Sequence, residues 1–98
     1  MEGLTEGRIV HYVMPDGQEH RPAVVVKVWR KSDGTPPDNG CSNLQVFTDG
    51  TNDYNHIKSA DGQEWMDKDD VKSGVVWKTS VVYSEEPKPH TWHWIEKA

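Results

Sequence analysis

Period-two runs of β-branched and aromatic residues recur along this chain, separated by turns rich in glycine and proline. The run from Gly7 to Met14 puts Ile9, His11 and Val13 on one face of a strand and Val10, Tyr12 and Met14 on the other. Pro15-Asp16-Gly17-Gln18 then reads as a turn, since proline presets φ and glycine accepts positive φ. Pro22 opens a second strand over Ala23 to Arg30, with Val24, Val26 and Val28 sharing one face and Val25, Lys27 and Trp29 the other. A third strand spans Asn43 to Thr48 with Leu44 and Val46 inward. The longest alternation, Gly74 to Ser84, carries Val75, Trp77, Thr79, Val81 and Tyr83, with a bend expected near Thr79-Ser80. Pro87 and Pro89 end it, and Thr91 to Glu96 forms a short closing strand.

The pattern lapses twice. Residues 31–40 hold Gly, Pro, Asp and Asn in loop proportions, and residues 52–72 scatter Tyr54, Ile57, Trp65 and Met66 among charged residues. Both read as long loops, the second with one helical turn near Asp67 to Asp70. The prediction is a mostly β fold: a small antiparallel barrel, SH3-like in size and spacing, of five or six strands with two long loops, in a single domain over 1–98. Aromatic or aliphatic residues on both faces of several strands, as at Tyr12 and Val13 or Val75 and Val76, predict a homo-oligomer that covers the second face.

Composition sharpens this picture at three points. Five tryptophans in 98 residues supply a core that an apolar fraction of 34% would not suggest. A net charge of -5 argues against extended nucleic acid or an anionic membrane as partner. The charge is uneven, because the half through Phe47 is nearly balanced, and a local basic pocket fits there. Cys41 is alone, so no intrachain disulfide forms, and together with a start lacking any signal-peptide pattern this predicts a cytoplasmic protein.

Chemistry-bearing motifs are sparse. His90-Thr91-Trp92-His93 invites a metal reading, but on an extended strand the two imidazoles face opposite ways, and His20 and His56 read as surface residues. No metal and no cofactor are predicted. Asp49 to Asp53 lacks calcium-loop spacing and reads as a hydrogen-bonded turn. Cys41 lacks a nucleophile signature, so no enzyme is predicted. The aromatic set is more telling: Trp92 and Trp94 share a strand face, and with Trp29 and Trp77 they either fill the core or leave an indole free to stack on a planar ligand.

Gly-Arg-Ile-Val-His-Tyr-Val at 7–13, Arg-Pro-Ala-Val-Val-Val at 21–26 and Asn-Leu-Gln-Val-Phe-Thr-Asp-Gly-Thr-Asn-Asp at 43–53 form a set with Trp77-Lys78-Thr79-Ser80-Val81 and Pro89-His90-Thr91-Trp92-His93-Trp94. Together they resemble small proteins common in phage and prophage genomes, with residues 31–40 and 54–72 as enlargements. Non-enzymatic phage proteins of this size include sponges, oligomers that sequester nucleotide signals of bacterial immunity. By that analogy the resemblance implies a viral anti-defence protein binding a cyclic nucleotide or related signalling molecule in the bacterial host cell. Trp77, Trp92 or Trp94 would stack, Arg8, Arg21, Lys27 and Lys78 would neutralise phosphate with Arg21 foremost, and Asn43, Thr51 and Asn52 would read base or ribose edges. The alternative is a protein–protein interaction module with no small-molecule ligand.

Overall fold

Alternation at Ile9–Val13 becomes strand β1, and the Pro15–Gln18 turn folds the chain back into β2, His20–Val28. The turn is held by Met14 N–H to Glu19 O at 2.8 Å and by Gln18 N–H to Asp16 Oδ1 at 2.9 Å. β3 covers Ser42–Phe47, β4 Val75–Tyr83 and β5 Thr91–His93. The computed structural model describes residues 1–95, so Glu96 of the expected closing strand lies outside the described residues. The five strands close into a barrel in the order β1-β2-β3-β4-β5, with β5 returning to β1. No helix among the described residues is long and apolar enough to cross a membrane.

Three details depart from the sequence reading. First, β4 and β5 pair in parallel, at Val82↔Thr91 and Tyr83↔Trp92, while every other pair is antiparallel. Parallel neighbours ordinarily need a long crossover. Here the overlap is two residue pairs at the ends of the strands, so residues 84–90 suffice. Second, β2 carries a bulge: Val25 faces Leu44, yet Lys27 faces Asn43, so two steps on β2 match one on β3. The extra residue reverses the faces, so Ala23, Val25 and Val28 are buried and Val26 is exposed. Third, residues 52–72 are not a loose insertion. A 3-10 turn at Asp53–His56 and helix α1 at Lys68–Ser73 dock the segment, burying Ile57, Met66 and Val71 in the same core as Val10, Tyr12, Leu44 and Trp92. α1 starts where Asp67 accepts from the N–H groups of Asp69 and Asp70, and stops at Gly74, whose φ of 90° suits glycine.

An ion pair pins this segment to the barrel. Asp53 is fully buried and accepts from Arg21 Nε at 2.8 Å and Nη2 at 2.5 Å, and from Asp49 N–H at 2.7 Å. The carboxylate beside it holds the Arg21 guanidinium more firmly protonated than usual, through hydrogen bonds that outweigh its partial desolvation. Arg21→Ala would leave Asp53 a buried charge with one donor. It should cost about 3 kcal/mol, the low end for breaking a buried pair because Arg21 is partly exposed, read from urea unfolding. An unchanged midpoint would show the pair to be dispensable.

Trp92 fills the barrel interior with no solvent exposure and donates its Nε1–H to the Gly40 carbonyl at 2.9 Å. Gly40 has φ of 70°, and a Cβ there would meet the Trp92 ring and Tyr83 Cβ at 2.8 Å. Gly40→Ala therefore combines a left-handed backbone with overpacking against an indole, and should lower unfolding free energy by about 2–4 kcal/mol. Alanine at Gly34, where the added Cβ meets nothing, is the matched control for backbone strain alone; equal losses at both sites would refute the packing contribution.

Candidate functional site

β4 does not run straight. Ser80 takes φ of 55°, and the β3–β4 register shifts between Ser42 and Leu44, so the strand bends where the sequence expected it to. Before the bend Val76 is buried and Trp77 exposed; after it Val81 turns inward. Asn43, buried in β3, stabilises the irregularity by accepting from Ser80 N–H at 3.0 Å and Trp29 Nε1–H at 2.8 Å.

The bend opens a pocket of about 410 Å³ lined by Trp65, Trp77, Lys78, Val81, His90 and Tyr12, with Thr79 and Ser80 at the bend itself. That volume suits a small molecule rather than a solvent niche. Trp65 comes from the docked 52–72 segment, where its Nε1–H donates to Ser59 Oγ at 2.8 Å and its N–H to Ile57 O at 2.9 Å. Lys78 donates to the Trp65 carbonyl, joining the two walls. Burial pulls the Lys78 pKa below the ordinary lysine value, against the pull of Asp70.

His90 forms the third wall. It sits just before β5 with φ of 64°, a left-handed conformation that a non-glycine residue adopts at a cost. Its ring lies 4.6 Å from the Trp65 ring, and its Nδ1 is 2.9 Å from the Tyr12 hydroxyl. Burial, then the nearby Lys78 charge, lowers its pKa and favours the neutral imidazole. Burial raises the Tyr12 pKa, so the phenol keeps its proton. The other ring nitrogen, Nε2, is buried with no hydrogen-bond partner among the described residues. An unmet polar atom of this kind is costly and calls for an explanation.

Of the residues singled out from sequence, Trp77 and Lys78 enter this pocket. Trp92 is core, and Trp94 packs on it edge to face at 5.0 Å with the Arg8 guanidinium 5.1 Å above its ring. Arg21, the foremost choice for phosphate, is instead committed to Asp53 and Glu19. Lys27 lies over Trp29 at 5.2 Å, and Asn43 is occupied inside the sheet. Thr51 and Asn52 are exposed and donate to the Asp49 carboxylate, in the hydrogen-bonded turn expected of that stretch. His90 and His93 diverge, one to the pocket and the other toward His11 and His20. Sequence reading missed Trp65, His90 and Tyr12 as site residues. The available signal was Trp65 itself, a large indole in an acidic segment with no apolar period to place it in the core. No family model, curated protein or solved structure matches this chain.

Proposed function

We propose that the protein is a non-enzymatic binding protein that captures a nucleotide-derived signalling molecule in the Trp65–Trp77–Lys78–His90 pocket. The observation that carries this reading is one juxtaposition: two half-exposed indoles flank a desolvated ammonium and a buried imidazole Nε2 that lacks a partner. Indoles stack on bases with about 1–3 kcal/mol each. Lys78 supplies charge to a phosphate in a chain whose net charge is otherwise negative, by local focusing. With the Tyr12 hydroxyl donating to Nδ1, the neutral His90 ring carries its proton on Nε2, which adds one directional hydrogen-bond donor. The phage resemblance supports the same reading, a sponge acting in the cytoplasm of a bacterial host.

The test is a panel of cyclic di- and trinucleotides, ADP-ribose derivatives and mononucleotides, scored by thermal shift and by analysis of ligand released on heating. At least one should raise the melting temperature and be released intact. Lys78→Ala should then weaken binding by about 1.5–3 kcal/mol, as for a charge-assisted hydrogen bond, with circular dichroism confirming that the variant is folded. Trp65→Ala should weaken it by a similar amount. Release of altered ligand would make the protein an enzyme, and no shift with any nucleotide would sink the capture reading.

A second feature supports a homo-oligomer. The register aligns Ile9, Val24, Gln45 and Trp77 in one row across four strands, with Phe47 beside Val75. Ile9, Val26, Phe47 and Val75 are all substantially exposed, an apolar outer face that a second copy of the chain would cover. Light scattering at micromolar concentration should give at least a dimer, and Phe47→Lys should shift it toward monomer. A monomeric wild type would leave that face to other partners.

A further inference from the structure

Away from the pocket, three strands bring three imidazoles to one place. His11 on β1 and His93 on β5 are register partners, so their side chains leave the same face of the sheet directly opposite one another. On the other side of β1, Val13 pairs with His20 and His11 with Pro22, which makes His20 the diagonal neighbour of His11. The His93 ring lies 5.7 Å from that of His11 and 4.7 Å from that of His20, edge to face with both. One ring nitrogen from each falls within 4.8 Å of the others. None of the three lines the pocket.

We propose that His11, His20 and His93 form a binding site for a first-row divalent transition metal, with zinc as the reference ion. Nitrogens bound tetrahedrally at 2.0–2.1 Å lie about 3.4 Å apart, so modest ring rotations bring this set to ligation distance. Three imidazoles suit zinc, copper or nickel, and they disfavour magnesium and calcium, which take oxygen. His93 is buried while His11 and His20 are partly exposed, which fixes one ligand rigidly and keeps the site open to an incoming ion. Three ligands leave a fourth position for water or an anion. The spacing was invisible in sequence because it depends on β5 returning beside β1.

Calorimetric titration of tag-free protein with zinc alone should show one ion per chain, and the melting temperature should rise with zinc. Cobalt in its place should give the visible absorption of a four-coordinate ion. His11→Ala and His20→Ala, at partly exposed positions outside the hydrophobic core, should each weaken zinc by more than the roughly 10–100-fold lost with an outer-shell partner. His56→Ala, whose ring pairs with Asp16, should leave affinity unchanged. Absence of zinc uptake by wild type would overturn the proposal. So would equal uptake by the His11→Ala/His20→Ala double variant, with circular dichroism confirming that the variant is folded.

Discussion

Barrel closure depends on a strand of three residues, and that strand is held by one indole. Thr91–His93 must pair with β1 on one side and β4 on the other, which is little backbone hydrogen bonding for a seam. Trp92 supplies what the ladder lacks. Its ring removes a large apolar area from water, meets Tyr83 and Trp94 edge to face, and satisfies its N–H on the Gly40 carbonyl. The contact reaches beyond the seam. It fixes the end of the 31–40 loop, sets the point from which His90 projects into the pocket, and aligns His93 beside His11.

The pocket shows where local preference yields to arrangement. Ser80 and His90, both non-glycine residues with positive φ, border it from β4 and from the approach to β5. Each conformation costs of order 1–3 kcal/mol in isolation. Lys78 adds a partly desolvated charge and His90 an unsatisfied nitrogen. These costs gather around one pocket, whereas the hydrophobic cluster that fills the barrel is apolar.

Much of the fold was legible because strand periodicity and turn chemistry are local properties. All five strands, the Pro15–Gln18 turn and the bend at Thr79–Ser80 follow from residues within a few positions of one another. The bulge after Val25 is not legible in the sequence, because an extra residue leaves no mark in a run of valines. Residues 52–72 looked like a loop because Ile57, Met66 and Val71 share no period, and their burial comes from docking against the barrel. The site divided the same way. Trp77 and Lys78 could be read from β4, whereas Trp65 and His90 join them only through tertiary contact. Arg21 reads locally as a cation beside a strand, and no local pattern marks Asp53 as its partner.

The pairing of β1 with β5 also governs how the chain reaches this state. His11 finds His93 and Tyr12 finds Trp92 across almost the whole described length, which gives the fold a high contact order. During synthesis at about 5–20 residues per second, β1 emerges several seconds, and β4 about 0.5–2 s, before the strand that closes them. Until then the seam edge of β1 and the site of Trp92 stand open, with Val10, Tyr12 and Leu44 around an unfilled centre. The protein must therefore fold after β5 has left the ribosome, and a transcript truncated before Thr91 would release an unclosed sheet suited to aggregation and proteolysis.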